Sequence, residues 1–177
     1  MIVLLRKLAN AMLSYDTFLM HGAVIAIGDS AYMFTAKSGT GKTTHIRKWL
    51  KNLPEAYVVN GDKPLIIAGE NVPQACGTPW CGKERMGTNT IVPLKAIVFM
   101  DRAEDNAIRP ISFTEAFPRL LAQTHRPEDP ELMKKTLQLL TSLNKRVSFY
   151  QFNVNNLKDD AFQVAYHELV EKAQENC

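Results

Sequence analysis

Ala36-Lys37-Ser38-Gly39-Thr40-Gly41-Lys42-Thr43-Thr44 is the stretch that decides the fold. A phosphate-binding loop reads G-x-x-x-x-G-K-[ST], and here every position but the first glycine is met, Ala36 standing in its place. The flanks supply the context that such a loop requires. Upstream, Ala31-Tyr32-Met33-Phe34-Thr35 is a short β-like run. Downstream, Ile46, Trp49, Leu50 and Leu53 recur on one helical face, and Pro54 closes the segment. Strand, glycine loop and helix in that order predict a nucleotide-binding α/β domain.

The residue types follow from the chemistry. Backbone N–H groups converge on a polyphosphate only where the chain curls tightly, which Gly39 and Gly41 permit. The helix beginning near Lys42 adds unpaired N–H groups and the positive end of its dipole. Lys42 brings an ammonium to the β- and γ-phosphates, and the Thr43 hydroxyl is a Mg²⁺ ligand. Ser38, Gly39, Thr40, Gly41, Lys42, Thr43 and Thr44 are thus the candidate ATP-binding residues.

Working outward, Ala23–Ile27 and Ala31–Thr35 flank Gly28-Asp29-Ser30 and predict a hairpin. Residues 3–15 carry Leu4, Leu5, Leu8, Ala9, Met12 and Leu13 at helical spacing, and read as a helix rather than a signal peptide. Strands are predicted at 57–59, 65–68, 94–100 and 147–152. Helices are predicted at 113–123 with Thr114 as cap, at 129–144 with Asp129 near its start, and at 157–174. Residues 74–90, rich in Gly, Thr and Pro, read as one long loop of the functional kind. The sum is a single domain over 1–177, a mixed sheet flanked by helices.

Composition narrows the class. Of 177 residues, 46% are hydrophobic and 22% charged, which excludes disorder as the main state. Lys plus Arg is 21 against 18 Asp plus Glu, a net +3 too mild to indicate nucleic acid or membrane partners. No apolar run approaches the roughly 20 residues that span a bilayer. Cys76, Cys81 and Cys177 are an odd set with no disulfide framework, so free thiols in a reducing cytoplasm are expected.

A phosphate loop works with a carboxylate at a nearby strand end. Asp62 follows 57–59 and Asp101 follows 94–100, and spacing leaves both open. Asp62 has the simpler connection, since its strand follows the loop helix directly and would lie beside the loop strand. His45, in the first turn of the loop helix, is either close to the nucleotide or an exposed helix residue. Lys83, Glu84 and Arg85 read as contacts to a γ-phosphate or acceptor, or as a solvated charge run. Arg126, after Gln123 and His125, reads as an anion contact or an ordinary helix-end cation. Trp80 either stacks on a base or fills a gap in the core.

His21-Gly22, a hairpin, the Ser38–Thr44 string, a helix and an Asp after a strand together resemble the C-terminal catalytic domain of the bacterial HPr kinase/phosphorylases. The SGTGKTT string is also similar to the phosphate loop of ATP-dependent phosphoenolpyruvate carboxykinases, which share that nucleotide-binding fold. The resemblance covers about residues 17–110 and is that of a small, divergent relative. It implies ATP and Mg²⁺ at Ser38–Thr44, His21 beside a catalytic carboxylate, and Asp62 as that carboxylate, serving as base and metal ligand with Thr43. It also implies phosphoryl transfer to a hydroxyl acceptor such as serine, and self-association. The family's acidic pair is reduced here to Asn60-Gly61-Asp62-Lys63, with one carboxylate: either Gly61 replaces the first acid or Lys63 replaces the second. A catalytically weak nucleotide-binding regulatory module is therefore the alternative. A carboxykinase activity would need substrate-binding arginines and metal ligands that the sequence does not display.

Overall fold

The structure, a computed structural model, describes residues 2–175, so Cys177 lies outside the described residues. Its centre is the hairpin of β2 (Ala23–Ile27) and β3 (Ser30–Thr35), in register from Ala23↔Phe34 to Ile27↔Ser30. β3 leads through residues 36–41 into α2 (Lys42–Asn52). β4 (Ala56–Asn60) returns antiparallel to β2. On the other side, β3 runs parallel to β7 (Ile91–Arg102), and β7 runs parallel to β9 (Ser148–Val154).

β7 serves two sets of neighbours. Its first residues pair antiparallel with β6 (Gln74–Cys76), which continues to β5 (Leu65–Ile67) and β1 (Thr17–Leu19). Its remainder lies between β3 and β9, and β8 (Ala107–Pro110) closes that edge against β9. Burial follows this division. Ile91 to Lys95 alternate in exposure, whereas Ala96 to Met100 are all buried, as expected of a strand covered on both faces.

Alternation along β2 and β3 feeds two cores. Val24, Ala26, Ala31 and Met33 face a cluster that includes α3 (Phe113–Gln123) and α4 (Pro130–Ser142). Ala23, Ile25, Tyr32 and Phe34 face another, built with α2 and α5 (Ala161–Tyr166). α5 continues through a π-helical turn (His167–Glu171) into α6 (Lys172–Glu175). α1 (Ile2–Met12) packs Ala9 against Leu19 and Leu65. This is a mixed α/β fold with helices on both faces of its sheet, and no helix among the described residues is long and apolar enough to cross a membrane.

Several expectations need correction. Residues 74–90 are not wholly a loop, because Gln74–Cys76 is pinned as a strand between β5 and β7. The strand expected at 94–100 is longer, since β6 recruits Ile91–Pro93. Thr114 is not the cap of α3. Ser112 is, its hydroxyl accepting from the Glu115 backbone N–H at 3.2 Å. Asp129 caps α4 as expected, accepting from Glu131 and Leu132. The last helix starts at Ala161, later than position 157, because Asn155 fixes the preceding turn through Leu157 N–H. β4 does not lie beside β3, since the hairpin strand β2 takes that place.

Candidate functional site

The sheet topology brings the chemistry to one edge. β3 and β4 point the same way and β2 points against them, so the segments after β3 and β4 and before β2 meet at one end. That end carries the 36–41 loop, Asp62 and His21.

The loop curls as its residues dictate. Gly39 and Gly41 hold φ of +81° and +108°, a region in which other residues are strained. The Thr40 N–H and hydroxyl both donate to the Lys37 carbonyl, at 3.3 and 2.9 Å. Lys42, nearly buried, folds its ammonium back onto the Ala36 carbonyl at 3.1 Å. Burial lowers its pKa, opposed by the Asp62 charge and reinforced by Lys63. Gly41 gives α2 no side-chain cap, so the first N–H groups of the helix lack the usual partner.

Two residues outside the motif shape this loop. Arg102, at the end of β7, donates to the Gly39 carbonyl. Asn156 donates to the Gly41 carbonyl at 3.1 Å, and its own Oδ1 is buried without a partner. A Cβ on Gly41 would lie 2.3 Å from the Asn156 amide nitrogen. Neither Arg102 nor Asn156 belongs to a recognisable motif.

His21 and Asp62 meet, with His21 Nε2 3.2 Å from Asp62 Oδ1 and His21 Nδ1 3.1 Å from Gln123 Oε1. Burial, then the charges of Lys63 and Lys42, push the His21 pKa below its ordinary value. The raising effects of Gln123 and Asp62 are smaller. The ring is therefore neutral near pH 7. Each ring nitrogen faces an oxygen, Nδ1 the Gln123 Oε1 and Nε2 the Asp62 Oδ1, and the carboxylate is the stronger acceptor for the single proton of the neutral ring. Backbone bonds lock the pair from below. His21 N–H donates to the Gln123 carbonyl at 2.8 Å, and Gly22 N–H donates to the Asp62 carbonyl at 3.0 Å.

The turn that carries Asp62 is organised by Asn60, which is fully buried. Its Oδ1 accepts from Asp62 N–H at 2.9 Å and Lys63 N–H at 2.8 Å, and its amide donates to the Thr78 hydroxyl and carbonyl. Asn60 precedes Gly61. A Cβ there would meet the Cys81 carbonyl at 2.9 Å and the Met86 carbonyl at 3.1 Å. Segment 78–88 closes over this glycine, so position 61 has no room for a carboxylate beside Asp62.

Other expected residues fall elsewhere. The His45 side chain is not exposed, because it is fully buried among Phe34, Trp49 and Phe152. Its Nε2 accepts from the Trp49 indole N–H at 2.9 Å, its Nδ1 has no partner, and burial pulls its pKa to about 3. Asp101 is engaged by Arg119 and Gln151, each at 2.9 Å, on the α3 side. Glu84 pairs with Arg47 of α2 at 2.5 Å, while Lys83 and Arg85 are exposed. Trp80 is half-buried and its carbonyl accepts from Lys63 N–H. Arg126 is exposed, whereas its neighbour Gln123 reaches His21. Cys76 and Cys81 are free thiols, the former pushed up to about 11 by burial.

No family model and no curated protein sequence matches this chain. Among solved structures, it is similar to the HPr(Ser) kinase/phosphatase from Coxiella burnetii at 10% identity and a TM-score of 0.49, the overlap covering 88% of this chain and 98% of that chain.

Proposed function

We propose that this chain binds ATP with Mg²⁺ and transfers the terminal phosphoryl group to a hydroxyl acceptor. One juxtaposition supports the reading: an uncapped helix start behind a glycine loop shares a sheet edge with a hydrogen-bonded His21–Asp62 pair. The residues suit the ligand. Gly39 and Gly41 adopt positive φ, α2 offers free N–H groups, Lys42 supplies a charge, and the orphaned Asn156 Oδ1 sits beside Gly41. Ser38 through Thr44 would hold the phosphates, and Thr43 and Asp62 would hold Mg²⁺, which supplies charge neutralisation.

In the transfer, the acceptor oxygen bonds to the γ-phosphorus as the bond from that phosphorus to the β–γ bridging oxygen breaks. The acceptor proton passes to Asp62, and ADP leaves. His21 is a positioning residue that donates to Asp62 and fixes the orientation of its carboxylate. Lys42 leaves the Ala36 carbonyl for the transferring group, where its charge counts most.

Radiolabelled ATP incubated with hydroxyl acceptors tests the reading, beside calorimetry with a non-hydrolysable ATP analogue. Uptake of the analogue and label transfer lost in Lys42→Met are expected. Transfer that survives Lys42→Met, or the absence of nucleotide uptake, refutes it. Uptake without transfer to any acceptor favours the regulatory module, a reading supported by the single carboxylate of this turn.

A further inference from the structure

The His21–Asp62 pair has a second side. A cleft of about 380 Å³ opens beside His21, between α1, the segment from the end of β1 to His21 and the end of α3. Its walls include Arg6, His21, Lys63, Gln123 and His125, with Leu19 as part of the apolar floor. No Asp or Glu lines it. The volume falls at the lower end of the roughly 300–1,000 Å³ typical of small-molecule sites. A larger hollow of about 720 Å³ runs along α4 alone and touches none of the site residues.

We infer that this cleft binds the phosphoryl acceptor, and that the acceptor is a small hydroxyl compound bearing a carboxylate or phosphate group. The inference rests on the proposed kinase reading for the word acceptor, but the anion site stands on its own geometry. Arg6 and Lys63 bring two full positive charges with no carboxylate on the walls to neutralise them, so an anion is the complementary ligand. The walls are fixed in place. His125 Nε2 lies 2.8 Å from Asn10 Oδ1 of α1, and His125 N–H donates to the Leu19 carbonyl at 2.9 Å. Lys63 N–H is held by Asn60 Oδ1, so its side chain departs from the same turn as the base. A ligand anchored by Arg6 and Lys63 has the His21 ring as its neighbour, which puts its hydroxyl on the side of Asp62.

The test follows the imidazole resonances of His21 and His125 by NMR in the full-length chain, titrated with glycerate, glycerol 3-phosphate and neutral glycerol. Saturable shifts at both rings are expected with either anion and not with glycerol. Glycerate alone, or glycerol 3-phosphate alone, identifies which anionic group the cleft takes. Arg6→Gln, on an exposed helix position, should weaken the anion at least tenfold. The inference is overturned by shifts as large with glycerol, by no saturable shift with either anion, or by anion affinity unchanged in Arg6→Gln and Lys63→Gln together. Nucleotide calorimetry on the same sample separates the two readings: anion binding without nucleotide uptake removes the kinase and leaves the anion site, and the converse removes the anion site alone.

Discussion

Protonation of His45 should unlock the core beneath the 36–41 loop. The ring is fully buried with a pKa near 3, against about 6.5 in the unfolded chain. Above about pH 6.5 neither state binds the proton, and the full stability is present. Between that value and about 3, the unfolded chain takes up a proton that the native ring refuses, so stability falls as the pH falls. Each unit is worth about 1.4 kcal/mol, so about 2 kcal/mol of native stability has gone by about pH 5, and about 3 kcal/mol by about pH 4. A domain has only about 5–15 kcal/mol to lose.

The control is His45→Phe, which does not titrate and suits a pocket already lined by Phe34 and Phe152. It strands the Trp49 N–H but removes the unpartnered Nδ1, two opposing effects of about 1–3 kcal/mol each. Near neutrality the variant should therefore lie within about 2 kcal/mol of the parent. Near pH 4 it should be the more stable of the two. Urea unfolding followed by tryptophan fluorescence at several pH values measures this directly. His21 and His125, also shifted downward, remain in both proteins and cancel in the difference. Parallel stability curves for the two proteins from pH 7 to pH 4 would refute the reasoning.

Three further outcomes are expected. Gly41→Ala should cost at least ~1–2 kcal/mol from its backbone conformation, with the Asn156 clash in addition, and should weaken nucleotide uptake in calorimetry. Gly61→Asp, which sets a second acid beside Asp62, should lose about 1–3 kcal/mol in urea titrations and gain no turnover, because the Cys81 and Met86 carbonyls occupy the space. Asp62→Asn should lower phosphoryl transfer by about 10²–10⁴-fold in the label assay, with thermal stability little changed at this partly exposed position.

Sequence reasoning reached the parts of the fold that rest on local pattern. The hairpin, α2 and α3 each have five or more residues of consistent periodicity or clear punctuation. β1 and β6 have three residues each, too few for any period to register, and they are strands through their partners, β5 for β1 and both β5 and β7 for β6. The placement of β4 was out of reach for a different reason: chain order does not say whether a returning strand takes the near or far side of a hairpin. At the site, the loop was legible because its glycines and lysine are adjacent in sequence. Gln123, Arg102 and Asn156 come from distant elements and carry no local signature. His45 did leave a trace. It stands four residues before Trp49, on the stripe that also holds Ile46, and that spacing already put it in the core. Nothing local could have shown that residues twenty and more positions away roof Gly61.

Asn60 never has to meet a ligand, yet both ends of its amide are committed to holding the bend after β4. Fixture and tool are thereby separate parts. The side chain at position 62 can be exchanged while the bracket stays in shape, whereas replacing the bracket with Asp, its nearest mimic, keeps the acceptor for the two N–H groups but sets a buried oxygen against the Thr78 carbonyl where a donor stood. Anyone re-engineering this edge for a new reaction has one position to leave alone.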